Sequence, residues 1–432
     1  MKSRLFNIVM AVTMALPAMA QSGTNSPYSQ YGLGILADRS QGFSRGMNGV
    51  GLGLRKGNIV NVLNPASYSA IDSLTMIFDA GLSAQVTNFK EGGKSLNANN
   101  ADFEYAVGCF RLMPRVGMSF GILPYSNIGY EYTAGTSFDL STADIPETFN
   151  GSGGLHEVFV GAGWKVFAPL SVGVNIGYLW GDYKRTAVST GTSSINSLSK
   201  IYSSTISSYN LSFGLQWQQQ LDRKNQLTLG ATVGLGHKLG SDAECMVTNT
   251  NLSTLTVDTT TFAVSDAFKL PMTYAVGLGW NHKEKLFVGA DFSMEKWGNI
   301  DYPAYDAMEK NYTLRSGLLK DRFKCSIGAD YVPGSVTGNL IKRTHYRFGV
   351  GYATPYYKIN GHDGPKEWSV SAGFGIPLQK VIWNARGNMR PVLNIAAQWV
   401  HTSAEGFITE NTFRLNLGLT FNERWFAKWR ID

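Results

Sequence analysis

Residues Arg45–Ala70, RGMNGVGLGLRKGNIVNVLNPASYSA, decide the fold. Gly46, Gly49, Gly51, Gly53 and Gly57 crowd the first half, a density that suits backbone packed closely against other backbone. The stretch runs into Asn64-Pro65-Ala66, a tight-turn signal, because proline fixes φ and asparagine tolerates turn geometry. Alone, it reads either as a glycine-rich connector ahead of a β domain or as a compact plug that a barrel closes around. The choice rests on the rest of the chain.

Downstream, apolar and small polar residues alternate with period two. Trp368, Val370, Ala372, Phe374 and Ile376 alternate with Ser369, Ser371, Gly373 and Gly375. Tyr209 to Trp217 and Phe413 to Phe421 behave alike, as do six further runs between Leu74 and Tyr352. Each apolar run matches a tilted strand of about 9–11 residues crossing hydrocarbon. A soluble sandwich would also alternate, but its outer face would be charged. Here the non-apolar face is Gly, Ser, Thr, Asn and Gln, which suits a lumen with space in it. Trp or Tyr at run ends supplies interfacial girdles. Mean hydropathy is −0.10, which is no obstacle, since only alternate residues of a barrel strand meet lipid.

Connectors alternate in length. Met113–Arg115, Ala168-Pro169, Leu221–Asn225 and Asn281–Lys285 are short; Phe138–Gly154, Ala187–Lys200, Ser241–Phe268 and Gly298–Lys320 are long. That rhythm is of short periplasmic turns and long outer loops. Two breaks in it, Pro333–Lys342 and Gln379–Arg390, belong on the periplasmic side. The expected fold is all-β: a transmembrane antiparallel β-barrel of about fourteen strands with an N-terminal plug inside the lumen.

Residues 1–20 read as a secretory signal: Lys2 and Arg4, an apolar run too short to span a bilayer, then Ala18-Met19-Ala20. Residues 21–72 form the N-terminal segment and plug, 73–426 the barrel, and 427–432 a short basic tail behind Trp425-Phe426. Without Lys2 and Arg4, 36 cations face 31 carboxylates, a net charge of +5. That balance is modest and scattered, which argues against a nucleic-acid partner. Cys109, Cys245 and Cys325 are odd in number, far apart and without metal or redox spacing. The six histidines form no HExxH-type motif, and Gly51-Leu52-Gly53 lacks the strand and helix of a nucleotide loop. No catalytic residue, metal ligand or cofactor is assigned, and the chain is read as a non-enzyme.

Several segments, in order, resemble the long-chain fatty acid transporter (FadL/TodX) family of outer-membrane proteins. The glycine-rich run ending in Asn64-Pro65-Ala66 resembles its hatch. Gly121–Tyr125 resembles its third strand with a Pro-aromatic step, Leu270–Gly277 a Leu-Pro strand opening, Ala290-Asp291-Phe292 with Trp297 the next strand, and His345–Tyr352 a later Arg-x-Gly strand. The resemblance implies location in the outer membrane of a Gram-negative cell and passive uptake of a hydrophobic small molecule or fatty acid, in contact with outer-membrane lipid. It also implies a lateral exit at a kink in the third strand, which falls on Pro124 and Tyr125. Proline in a sheet is confined to edges and bulges; the competing reading is that Pro124 simply ends a strand. Arg347 and Arg414 are the candidate ligand-facing lumen groups, with pairing to Asp291, Glu295 or Asp330 as their alternative role. Ser26–Gly34, SPYSQYGLG, departs from the transporter pattern and resembles N-termini of hatch-bearing Bacteroidetes proteins. It leaves open a barrel of the type IX secretion PorV kind, serving as partner or scaffold in surface secretion or assembly.

Overall fold

The computed structural model describes residues 23–73, 75–136, 145–191, 195–334, 339–378 and 391–424. The expected leader, the aromatic pair Trp425-Phe426, the tail 427–432 and the connector 379–390 lie outside the described residues.

Fourteen antiparallel strands close into one ring. They are β1 (Thr75–Glu91), β2 (Lys94–Met113), β3 (Val116–Thr136), β4 (Ile145–Lys165), β5 (Leu170–Ser189), β6 (Ser197–Gln220) and β7 (Asn225–Gly234). The second half comprises β8 (Thr273–His282), β9 (Leu286–Glu295), β10 (Arg322–Tyr331), β11 (His345–Ala353), β12 (Lys366–Pro377), β13 (Val392–Ser403) and β14 (Thr409–Arg424). Each strand pairs with the next, and β14 returns to β1 through Phe78↔Phe421 and Leu82↔Leu417. Closure leaves no sheet edge in the hydrocarbon, where an unpaired backbone group is costly.

The alternation acts as the sequence implies. Leu82, Val160, Ile176, Phe213, Val276, Ile327, Phe348 and Phe413 are exposed on the outer wall, while Ser119, Asn175, Gln216, Ser371 and Asn394 on the opposite face are buried. Cys325 is exposed between Phe323 and Ile327, and Cys109 and Cys245 are buried free thiols.

Two expectations change. The first six strands run to 17–24 residues, beyond the length of about 9–11 that hydrocarbon requires, while β7 to β13 have 9–12 and β14 has 16. The extra length comes from segments read as long loops, which continue the ladder: β3 pairs with β4 out to Thr136↔Ile145. Two other long connectors fold as hairpins, Ala243–Asn251 with Thr256–Val264 and Tyr302–Asp306 with Asn311–Arg315. Among the described residues, the small inward side chains also face backbone where they suggest open space. Residues 40–71 pack against the inward face of strands all round the ring: Met47 on β10 and β11, Leu52 and Gly53 on β7 and β8, Pro65 on β4, β5 and β6. The small inward residues make room for backbone rather than solvent. A Cβ built on Gly53 would lie 2.5 Å from the Gly279 nitrogen, and one on Gly328 2.6 Å from the Met47 Cβ.

Gly53→Val therefore sets side chain against backbone on both partners. It is expected to destabilise the folded barrel by about 1–3 kcal/mol, read as a lower unfolding temperature of the heat-modifiable band. An unchanged temperature would contradict the packing.

Candidate functional site

Two places bring charged and polar groups together inside the ring. The first anchors the glycine-rich stretch. Asn64 caps a 3-10 helix, Pro65–Ala70, with its Oδ1 accepting the Ala66 N–H at 3.1 Å. Its Nδ2 donates to the carbonyls of Leu52 and Leu215, both at 3.1 Å. The Asn64-Pro65-Ala66 turn is thus a helix start locked to the wall. Tyr68 OH donates to Asn175 Oδ1 at 3.0 Å. Across the lumen, Asp291 Oδ2 accepts the backbone N–H groups of Gly51 and Leu52 at 2.7 and 2.9 Å. Gln216 Nε2 donates to the carbonyls of Leu52 and Leu54 at 2.9 and 3.1 Å.

Beside it, Asp330 collects three donors. Lys56 Nζ lies at 3.2 Å, His345 Nδ1 at 2.9 Å and Arg347 Nε at 3.1 Å. Arg347 also donates from Nη1 to Asn394 Oδ1 at 2.7 Å, and its guanidinium sits 4.1 Å from the Phe43 ring centroid. Of the two roles weighed for Arg347, pairing with a lumen acid is the one observed. Arg414 donates from Nε to Gln85 Oε1 at 2.9 Å, its cross-strand neighbour on β1. Neither arginine is among the residues lining the cavity at Gly42. The cavity lined by Gly42, Arg45, Tyr105 and Asn394 is ≈ 10 Å³, near the minimum that one water needs.

The second place is the third strand. The β2–β3 ladder runs from Met113↔Val116 to Ala106↔Ile122 and then stops. Beyond it β3 continues, paired only with β4 and with two residues of the N-terminal segment. Pro124 sits one residue past Leu123 and has no N–H to extend the ladder. Its step also shifts the register on the other side: Pro124 pairs with His156 and Ser126 with Leu155, which leaves Tyr125 as the extra residue of a bulge. The strand thus continues past Pro124 rather than ending there. On β2 the pairing with β1 slips at the same level, from Gly81↔Tyr105 to Leu82↔Phe103, and leaves Glu104 over. Two bulges on facing strands let the wall part.

The chain's own N-terminal segment occupies the parting. Ile35 and Leu36 pair antiparallel with Asn127 and Ser126 of β3, and the Ala37 N–H donates to the Tyr125 carbonyl at 2.9 Å. Gln85 Nε2 of β1 donates to the Gly23 carbonyl at 3.1 Å, and Asn25 Nδ2 to Asn100 Oδ1 of β2 at 2.7 Å. The SPYSQYGLG motif ties the segment down at the outer end. Ser26 donates to Glu410 at 2.5 Å, and Ser29 Oγ accepts the Gly129 N–H at 3.1 Å. Tyr28, Arg185 and Tyr356 add hydrogen bonds to the carbonyls of Ile408, Gly32 and Gly34. Below, Arg45 bridges Glu104 at 2.7 Å and Asp38 at 3.8 Å. Burial raises the Asp38 carboxyl, but Arg45, Lys324 and the hydrogen bonds of Ser40 together outweigh it and hold it well below the usual carboxylate range.

The sequence analysis singled out Pro124 and Tyr125 but not Glu104, Asp102 or Glu410. The only signal for those was a carboxylate on an otherwise small polar face, here opposite a buried partner on a distant segment.

A family model described as BamG matches residues 1–432. Comparison with curated protein sequences gives no match. Among solved structures, the Ralstonia pickettii toluene transporter TbuX is similar at a TM-score of 0.61 and 16% identity, over 90% of this chain and 98% of that one. A Pseudomonas aeruginosa FadL homologue is similar at 0.62 and 11%, over 90% and 99%. The P. putida toluene transporter TodX is similar at 0.60 and 15%, over 89% and 98%. At these identities the likeness establishes a shared fold, the β-barrel of those structures.

Asp330→Ala strands Arg347 and Lys56 without their carboxylate. Removing one partner of a buried pair is expected to cost about 3–5 kcal/mol. Arg414→Ala, which loses one hydrogen bond from a guanidinium to a neutral amide, is expected to cost less, about 1.5–3 kcal/mol. Denaturant midpoints of the two variants in detergent check the order; equal losses would contradict it.

Proposed function

The chain belongs to the BamG family, and from that premise we propose that it admits hydrophobic small molecules, of the fatty acid or aromatic hydrocarbon kind, passively through the side of an outer-membrane barrel. The single observation that carries this reading is the parted wall at Pro124 and Tyr125. A plugged barrel offers no straight path, so an apolar solute that enters from lipid or leaves to it needs a lateral one. The fold shared with toluene transporters supports the same reading. The inner mouth of this route is lined by Glu104, Asp102 and Arg45, with Tyr105 above Gly42.

Transport on this route requires residues 23–37 to leave the parting, because the segment fills it. Its hydrogen bonds to the wall are each worth about 1 kcal/mol net, and leaving also uncovers Tyr28 and Leu33, which are buried in the core. Residues 45–70 add ion pairs, Arg45 with Glu104 and Lys56 with Asp330. The two parts of the N-terminal region therefore have different jobs: residues 45–70 form the fixed hatch and residues 23–37 the movable closure.

A second reading, a sealed barrel that serves as partner or scaffold in a surface assembly, is favoured by one observation. A cavity of ≈ 10 Å³ is far below the roughly 300 Å³ of a small-molecule site.

A disulfide separates them. Leu36 and Ser126 are direct antiparallel partners, within the Cα separation of about 4.4–6.8 Å that a disulfide accepts. With Cys325→Ser to remove the exposed thiol, Leu36→Cys/Ser126→Cys is expected to take up labelled oleate when reduced and to fall to background when oxidised. Equal uptake in both states would contradict the movable closure. No uptake by the unmodified chain, with a stoichiometric protein partner in the purified material, would favour the scaffold.

A further inference from the structure

The two rims of the barrel carry different charge. The described turns at the short-connector end, residues 111–115, 165–169, 221–224, 283–285 and 339–344, hold nine Lys and Arg against two carboxylates, Asp222 and Glu284. The three long connections at the other end, residues 236–272, 296–321 and 354–365, hold seven cations and nine carboxylates. Net basicity is therefore concentrated at the periplasmic rim.

The depth of those cations follows from the wall. Trp164, Trp217 and Tyr331 are exposed on the outer face at this end, the position of an interfacial girdle. Lys165 directly follows Trp164. The Lys285 carbonyl accepts the N–H of Val332 at 2.7 Å, one residue past Tyr331. At about 3.3 Å per residue, these cations stand at the level where phospholipid phosphates begin. Exposed apolar side chains accompany them in four of the five turns: Met113 before Arg115, Phe167 after Lys165, Leu221 before Lys224, Ile341 (72% exposed) before Lys342. The pairing of an apolar anchor with a cation is that of a segment lying in the lipid interface. An acidic soluble partner would be met by cations without that apolar company. Among the described residues no side-chain hydrogen bond or ion pair engages Arg115, Lys165, Lys224, Lys285 or Lys342, whereas Lys296 and Lys320 at the outer end are both paired.

We propose that the periplasmic rim is a binding ring for the phosphodiester headgroups of anionic phospholipids in the inner leaflet. Four of the five turns supply a cation for the phosphate and an apolar side chain for the first part of the acyl chains, and the turn 283–285 supplies cations alone. The inference does not depend on what passes through the wall.

The test is native mass spectrometry of the full-length barrel from mixed micelles holding equal phosphatidylglycerol and phosphatidylcholine. The expected result is phosphatidylglycerol retained in excess by roughly fivefold, the factor one cation near an anionic surface supplies. Arg115→Gln/Lys224→Gln/Lys285→Gln/Lys342→Gln should bring retention to parity. Lys296→Gln/Lys320→Gln at the outer rim should leave it unchanged. Heat-modifiability on gels verifies that each variant is folded; if the fourfold variant is not, loss of the excess in 0.5 M salt, about 4 Å of Debye length, is read on the unmodified barrel. Equal retention of the two lipids by the unmodified barrel, or an excess that survives the fourfold variant, would overturn the proposal. So would displacement of the lipid by millimolar inorganic phosphate, or retention of an acidic protein in place of lipid.

Discussion

Backbone that leaves a β ladder inside a filled barrel must find hydrogen-bond partners there, because a buried N–H or C=O left unpaired is costly. The rest of this structure depends on how residues 40–71 meet that constraint. Their irregular backbone is held by inward side chains of the strands: Asp291 takes two N–H groups, Gln216 serves two carbonyls, and Tyr105 accepts the Gly42 N–H at 2.6 Å. Glycines let the two backbones approach closely enough for these bonds to form. The wall and its filling are therefore one core, and small residues facing inward are its packing surface.

The same constraint shapes the third strand. Pro124 cannot donate, so the β2–β3 ladder ends beside it, and the bulges at Glu104 and Tyr125 turn the two strands apart. An unfilled parting would leave a row of unpaired groups. Ile35 and Leu36 supply two residues of replacement ladder, and Asn127 reaches Asp102 across the remainder at 3.2 Å. Among the described contacts residues 23–37 make no ion pair, whereas the stretch behind them is tied by Arg45 to Glu104 and by Lys56 to Asp330. This difference in attachment is what makes the parting a port in the proposed function and not merely a defect.

Most of the architecture was legible because it is local. The alternation from Phe413 to Phe421 reads as a strand with lipid on one side, and its apolar residues do stand outward. The rhythm of connectors gave a strand count that the ring matches. Pro124 falls where the resemblance implied a kink, while its chemistry alone left a simple strand end also open. Outer loops were harder, since Thr- and Ser-rich runs such as Thr256–Val264 alternate too weakly to reveal a hairpin. Contacts between distant segments were not legible. Arg347 carried three candidate acids, and only the fold brings Asp330 to it. Nothing in SPYSQYGLG tells that Ser26 meets Glu410, which lies 384 residues away. A small-residue face also reads equally as an empty lumen or a packed one, and here it is packed.

The most direct check on this account is ion conductance in a planar bilayer. Full-length protein should be nearly silent, while a chain lacking residues 23–72 should show large, long-lived steps. Open-pore steps from the full-length chain, or identical traces from both, would contradict a lumen closed by its own N-terminal segment.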